Sequence, residues 1–497
     1  MAIPPVLGGQ HRDKRPYFLS RANEAAHPLF RETVYPKEAL SALRMKEGDR
    51  LDLDFGDHFV GFVTLELGYE GDHPDAPLWL GLRFAERSRE LEERVEDYRG
   101  SLSRSWIQQT QLHIDVLPAR IRLPRRYAFR YLRLEVLGMS HRFRLTVKEV
   151  SCEAVTAADE RRLKPYRGPA DHARLDKIAC RTLRECMQDV FEDGPKRDRR
   201  LWLGDLRMQA LANFETYGDM ALVRRCLYLF AAAANEEGKI PGCLYTEPKV
   251  EADGTMMFDY SLLFLPTLLD YYRASGDRQT FEDLAPEGLR QITFLEPAFR
   301  EDLARYEEEL GCWCFLDWKE GLDKQAGAQG VYLYSLKAAA EAAELLGRAD
   351  WAEALREDYR RKRIAAERLF DPELGLYVSG PQRQISWASQ IWMVLGGAEH
   401  GDGALLDRVA ACPEALGMIT PYMRHIYLDA LMAVGRREQA LEELVRYWGG
   451  MADAGADTFW ELWDPADPNA SPYGGTAVNS YCHAWSCAPA YFLRKFF

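Results

Sequence analysis

Two periods of apolar residues divide the chain. From about Leu51 to Val155 apolar and polar residues alternate: Leu51-Asp-Leu-Asp-Phe, Val60-Gly-Phe-Val-Thr-Leu-Glu-Leu, Leu112-His-Ile-Asp-Val, Phe129-Arg-Tyr-Leu-Arg-Leu-Glu-Val and Phe143-Arg-Leu-Thr-Val-Lys-Glu-Val. A period of two buries one face of a strand. Many short strands separated by Gly, Asp and His turns predict an antiparallel β-sandwich. The charged stretch Glu86–Asp97 predicts an exposed helix or loop. Residues 1–45, with Pro-containing turns, predict an extended leader packed on the second domain.

The pattern switches at Pro165–Pro169. Beyond it apolar residues recur at i, i+3, i+4 and i+7, which predicts amphipathic helices. The segments are Asp171–Val190, Leu201–Thr216, Met220–Asn235, Met257–Ser275, Arg278–Pro297 and Gln329–Leu346. Ala349–Arg368, Ile385–Leu395, Pro421–Val434, Arg437–Gly449 and Val478–Leu493 follow. Gly347 and Gly435 stand where helices usually end on glycine. Short links and no repeat of fixed period favour six αα-hairpins closed into a toroid over a solenoid. The expected plan is a multidomain β + α chain: a β-sandwich with its leader over 1–165, then an (α/α)6 toroid over 166–497. A length of 497 residues suits two or three domains.

Composition narrows the partners. A net charge of −13 argues against nucleic acid or an anionic membrane, and the basic cluster Arg197, Arg199 and Arg200 alternates with acids. No apolar run reaches membrane-spanning length, and the N-terminus lacks a basic segment followed by an apolar core. The expectation is a cytoplasmic protein with its ten cysteines as free thiols. Cys312-Trp-Cys314 is not a paired CxxC and no HExxH occurs, so no metal and no cofactor is expected. Gly8-Gly9 and Gly474-Gly475 are turn signals without a phosphate-loop pattern, the second in a loop that could shape a cleft. Twelve Trp and twenty-four Tyr fit an aromatic-lined carbohydrate cleft as well as a large helical core. Composition leaves a homo-oligomer open.

The chemistry concentrates in Asp193-Gly-Pro-Lys-Arg-Asp-Arg-Arg-Leu-Trp-Leu-Gly-Asp205. Gly194 and Pro195 stop a helix, and the apolar run after Leu201 starts one. Asp193 and Asp198 therefore belong on a loop that enters a helix, with Asp205 in its first turns. Carboxylates and Arg hydrogen-bond hydroxyls, and an indole offers an apolar face to a pyranose. The competing reading is a solvated, charge-paired helix entry. Far along the chain Glu461 lies beside Trp460 and near Trp463, where desolvation tunes a carboxyl. Two separated acids are what glycoside hydrolysis uses, one to protonate the leaving oxygen and one to activate water or attack. Asp317-Trp318 reads as a hydroxyl contact with a stacking ring, or as a helix cap with a packed Trp. Asp259-Tyr260 has the same two readings. His425 and His483 read as buried structural histidines or sugar contacts.

These blocks resemble the α-L-rhamnosidases of glycoside hydrolase family 78. That family carries Asp-Cys-Pro-x-Arg-Glu-Arg and then Gly-Trp-x-Gly-Asp, and Asp193, Pro195, Arg197, Trp202, Gly204 and Asp205 fall in register. Thr458-Phe-Trp-Glu461 and Ser480-Tyr-Cys-His483-Ala-Trp485 resemble its closing segments, and the likeness covers roughly Asp171–Phe497. The resemblance implies an inverting exo-hydrolase with a carbohydrate substrate. It gives Asp198 the general-acid position and Glu461 the general base. It implies that Asp193, Arg197 and Asp205 hold hydroxyls, that Trp202, Trp318 and Trp460 line the subsite, and it keeps Asp317 and His483 as further contacts. One departure stands out: Asp198 replaces the usual Glu and is one methylene shorter, and Gly194 replaces Cys. Asp193 or Asp317 as acid, a lyase or hydrolase for another deoxy or uronic sugar, and a catalytically silent sugar-binding protein stay as alternatives.

Overall fold

The structure, a computed structural model, describes residues 11–40 and 43–497; Gly8-Gly9 lies outside them. The alternating segments form strands β1 (Phe30–Val34), β2 (Arg50–Gly71), β3 (Leu78–Ala85), β4 (Gln109–Ile114), β5 (Ala119–Arg122), β6 (Tyr127–Gly138) and β7 (Phe143–Thr156). They make one antiparallel sheet in the order β1-β7-β2-β6-β3-β4, with β5 on β2. The long strand β2 is its spine. Its first half pairs with β6 and its second with β7 and β5, and the register shifts once in each pairing, at Asp54/Phe59 against β6 and at Glu66/Leu67 against β7, irregularities of the kind that bend a strand. Leu53, Val63, Leu65 and Leu67 of β2 meet Leu80 and Leu82 of β3, Leu132 and Leu134 of β6, and Leu145 and Val147 of β7 in one core. A slip of one residue would turn this whole set to solvent, which is why the alternation was readable.

Two local expectations change. Residues His11–Glu24 form a helix, α1, instead of an extended leader. Phe18 and Ala22, one turn apart, are buried against the helical region. Tyr17 Oη donates to Asp283 at 2.7 Å and Lys14 Nζ to Glu287 at 3.0 Å. Docking overrides a polar sequence that contains Pro16. The charged stretch after β3 is a series of short 3₁₀ turns, Ser88–Leu91 and Val95–Asp97, but not a wholly exposed one. Glu86, Glu90, Leu91 and Val95 are buried.

Beyond residue 170 the chain is helical: α2 (Ala173–Cys186), α3 (Leu203–Glu215), α4 (Met220–Ala233), α5 (Phe258–Ser275), α6 (Arg278–Leu295), α7 (Tyr306–Leu310) and α8 (Gln325–Leu345). Then come α9 (Ala349–Ala366), α10 (Trp387–Gly396), α11 (Gly403–Ala410), α12 (Pro421–Ala433), α13 (Arg437–Asp453) and α14 (Ala488–Phe496). Helix α3 packs on α5, α5 on α8, α8 on α10, α10 on α12, and α14 returns to α3. Gly330 lets α8 and α10 touch through their backbones, since a Cβ there would lie 2.5 Å from the Trp392 carbonyl carbon. No helix among the described residues is long and apolar enough to cross a membrane.

One buried cation joins three carboxylates from three segments. Lys362 of α9 is fully buried, and its Nζ lies 3.0 Å from both Glu296 oxygens, 2.8 Å from Asp358 and 3.5 Å from Asp302. These carboxylates stand within 4.8 Å of one another. Lys362→Met leaves them with Arg361, which pairs with Asp302 and Asp358 from the more exposed side, as their remaining cation, at a cost of roughly 2–3 kcal/mol after discounting for the partly exposed Glu296. A thermal unfolding midpoint equal to the wild type would contradict this.

Candidate active site

The Asp193–Arg200 loop leaves α2, crosses between the sheet and the helices, and enters α3 through the short strand Leu201–Trp202. Asp205 sits in the first turn of α3. Asp193 ties the loop together. Its Oδ1 accepts the Arg200 N–H at 3.1 Å, and its carbonyl accepts the Ala484 N–H at 3.1 Å. Gly194 permits this path, since a Cβ there would lie 2.6 Å from Ser480 Oγ. Asp198 and Arg199 then adopt left-handed φ values of 65° and 55°. Two such residues in succession persist only where neighbours fix them. Here Arg199 Nη2 donates to the Arg126 carbonyl of the sheet region at 2.9 Å.

Arg197 organises the centre. Its Nε donates to the Val478 carbonyl at 3.0 Å, its Nη2 bonds Glu461 and lies 3.2 Å from Tyr473 Oη, and its Nη1 is 3.5 Å from Asp198 Oδ1. Tyr473 Oη also donates to Glu461. The Glu461 backbone is pinned by its N–H to the Ser480 carbonyl and by Trp485 Nε1 on its own carbonyl, both at 3.0 Å. Burial alone would raise the Glu461 carboxyl, but the Arg197 guanidinium and the two hydrogen bonds hold it below the usual carboxylate range.

The neighbouring acids differ. Burial, then the charges of Asp198 and Asp205, push Asp193 well above the usual range. Burial, then the charge of Glu461, does the same to Asp205. His483 lies between them, 3.9 Å from Asp193 Oδ2 and 3.8 Å from Asp205 Oδ1, and burial pushes it down to about 3, so it is neutral. Asp198 has the most open carboxyl of the group, with its side chain 20 % exposed.

These groups face one cleft of about 340 Å³. Asp193, Arg197, Asp198, Asp205, Glu461 and His483 supply its polar part, and Trp202, Trp318, Trp313, Phe315 and Trp485 its aromatic wall. Within the protein, Asp205 Oδ1, His483 Nδ1, Trp202 Nε1 and Trp318 Nε1 are buried without a hydrogen-bond partner. Buried polar atoms are rarely left so, and together they call for a polar occupant.

Two residues expected here stand elsewhere. Asp317 does not line the cleft. Its Oδ1 accepts the N–H groups of Trp318 (2.8 Å) and Thr420 (3.1 Å), and its Oδ2 that of Ile419 (2.9 Å), so it ties its loop to the start of α12. Burial raises it to about 6 against those bonds. Trp460 does not line the cleft either. It packs against Trp463 and Tyr481, with the Arg87 guanidinium 4.2 Å over its ring. Asp259 accepts the Phe315 and Leu316 N–H groups at 3.0 Å, whereas its neighbour Tyr260 faces the cleft. His425 is buried with neither ring nitrogen hydrogen-bonded. Sequence reasoning missed Tyr473, Trp313 and Phe315, and it missed Leu102 and Trp106, which reach the cleft from the sheet region. Only Gly474-Gly475 beside Tyr473 gave a signal.

Comparison with known proteins agrees with this chemistry. Residues 20–154 match the N-terminal domain of glycosyl hydrolase family 78 α-rhamnosidases, and residues 170–496 match the bacterial α-L-rhamnosidase six-hairpin glycosidase domain. A rhamnosidase from Klebsiella oxytoca, solved with rhamnose bound, is similar at 42% identity over 97% of this chain and 98% of its own, with a TM-score of 0.92. A family 78 rhamnosidase of Bacillus sp. GL1 (22% identity, 91% of this chain, TM-score 0.76) shares the fold. So does an α-L-rhamnosidase of Streptomyces avermitilis complexed with L-rhamnose (18%, 94%, TM-score 0.68). This chain spans 47% and 44% of those two. Among curated proteins none matches. The chain belongs to glycoside hydrolase family 78, the α-L-rhamnosidases, and is a glycoside hydrolase.

Proposed function

We propose that the chain releases terminal α-L-rhamnose from glycosides or oligosaccharides in a single displacement with inversion, using Asp198 as general acid and Glu461 as general base. The observation that carries the pairing is Arg197, whose two terminal nitrogens face the two carboxylates. One guanidinium keeps their nearest oxygens within roughly 8 Å, compatible with the roughly 6.5–9.5 Å that an inverting site needs for its water. Glu461, held ionised, accepts a proton from water attacking the anomeric carbon. Asp198, the most open acid, protonates the leaving oxygen, and its left-handed backbone offsets the missing methylene. Asp193, Asp205 and His483 hold hydroxyls, and the indoles cover the C–H face and the methyl group of a deoxy sugar. The rhamnose-bound relative at 42% identity supports that sugar.

The same proposal takes α3, α5, α8, α10, α12 and α14 as the inner helices of an (α/α)6 toroid, and the bent sheet as a sandwich with the boundary near residue 165. It includes a cytoplasmic location, supported by ten free cysteines, nine of them buried.

A second reading has one specific observation behind it. Burial, then the charge of Glu461, favours the protonated form of Asp205, which has an unpartnered oxygen in the cleft and could be the proton donor. Leaving groups separate the two. A good aryl leaving group needs no protonation, so the variant lacking the acid keeps most of its activity on it and loses roughly 10²–10⁴-fold on a poor one. Asp198→Asn is expected to show that split, and Asp205→Asn a loss on both. The raised Asp205 carboxyl favours folding in acid, and that contribution is lost as pH rises through its folded value. Asp205→Asn is therefore also expected to raise the thermal midpoint at neutral pH. A split shown by Asp205→Asn alone moves the acid there.

A further inference from the structure

The segment between β3 and β4 belongs to the sheet region, yet it reaches both catalytic loops. On one side it meets the loop that carries Tyr473. Ser101 N–H donates to the Tyr473 carbonyl at 2.8 Å. Gly100 lies against the same atom so closely that a Cβ would stand 2.1 Å from it. Thr476 Oγ1 donates to Glu93 at 2.5 Å, and Arg89 bonds Asn469. Val95, Ile107, Tyr473 and Val478 close a small apolar core under these contacts. On the other side Glu90 is buried against Lys196, two residues before Asp198. Glu90 Oε2 accepts the N–H groups of Glu86 and Arg87, both at 2.8 Å, and Lys196 Nζ also donates to the Asn479 carbonyl at 2.9 Å. A buried ion pair with its remaining atoms hydrogen-bonded fixes register more than it adds stability.

We propose that residues 86–106 are a positioning element for hydrolysis: Gly100 and Ser101 seat Tyr473 so that its hydroxyl orients Glu461, and Glu90, through Lys196, holds the loop that carries Asp198. The inference rests on the reading of Glu461 and Asp198 as the acting pair. None of the three positioning residues lines the cleft; each acts through a neighbour that touches it or the loop beside it. The Glu461 carboxylate faces Arg197 from the Asp193–Arg200 loop, Asp205 from α3, His483 from the segment before α14, and Tyr473. Of these, only Tyr473 hangs on the sheet region by its own backbone.

The test is kcat and KM against pH for the wild type, Gly100→Ala, Tyr473→Phe and the double variant, on an aryl α-L-rhamnoside. Loss of the Tyr473 hydrogen bond raises the Glu461 carboxyl, so Tyr473→Phe moves the acid limb of kcat/KM to higher pH. Gly100→Ala is expected to move it the same way, to lower kcat roughly 10–100-fold with KM little changed, and to add less than about twofold in the Tyr473→Phe background. An unmoved acid limb, or losses that multiply, overturns the proposal. Glu90→Gln tests the other arm and serves if Gly100→Ala does not fold. It is expected to cost more on a poor leaving group than on an activated aryl one, and equal losses on both overturn the link to Asp198. Failure of the underlying reading looks different: Glu461→Gln would keep its activity, or the wild type would have none.

Discussion

Glu461→Gln is expected to lower kcat on an aryl α-L-rhamnoside by roughly 10²–10⁴-fold while KM stays close to the wild type. The amide keeps the size of the side chain and can still meet Tyr473 and Arg197, but it cannot take a proton from water. The loss should therefore fall on kcat. Burial sharpens it, because no bulk water replaces the missing base at a site only 4 % exposed. Parallel circular dichroism spectra and melting curves check that the variant folds. A kcat within tenfold of the wild type would remove Glu461 from the chemistry.

Arg197→Gln is expected to have the next largest effect, and to show it in the pH profile. Arg197 is the strongest influence holding the Glu461 carboxyl down against its burial. Without the guanidinium, the Tyr473 hydrogen bond is left to oppose desolvation with less help and the carboxyl rises. The base works only when ionised, so the acid limb of kcat/KM moves to higher pH, and activity lost near neutrality returns in part under alkaline conditions. A neutral side chain also leaves Glu461 buried without its cation, so the folded state weakens in the same pH range where the carboxyl must ionise. A profile parallel to that of the wild type, merely lower, would mean that Arg197 serves binding alone.

The cluster from Asp193 to Asp205 was legible because its members are close in sequence and its loop-to-helix entry is written in Gly194, Pro195 and the apolar run after Leu201. Glu461 was legible by its indole neighbours and by family likeness. Other parts have no local signature. Tyr473 acts through a hydroxyl whose partners, Arg197 and Glu461, are set by the path of a loop, and nothing in Pro472-Tyr-Gly-Gly specifies that path. Leu102 and Trp106 lie in an irregular stretch between β3 and β4 and meet the cleft only because the sheet region packs against it. Asp317 shows the limit from the other side. A carboxylate beside a Trp reads equally well as a sugar contact or as a cap until its partners, the Ile419 and Thr420 N–H groups, are known. Trp460 was read as a subsite ring, but Trp463, Tyr481 and Arg87 enclose it. In the fold, α1 escaped the pattern because its stripe is only Phe18 and Ala22, and its stability comes from the helices beneath it.

The direct test of the central claim is the proton NMR spectrum of the wild type during the first turnovers of an aryl α-L-rhamnoside, before the released sugar mutarotates. The account predicts that β-L-rhamnose appears first, with the α anomer growing in later. Alpha anomer as the first product would contradict it, since retention requires a covalent intermediate in place of a single displacement by water.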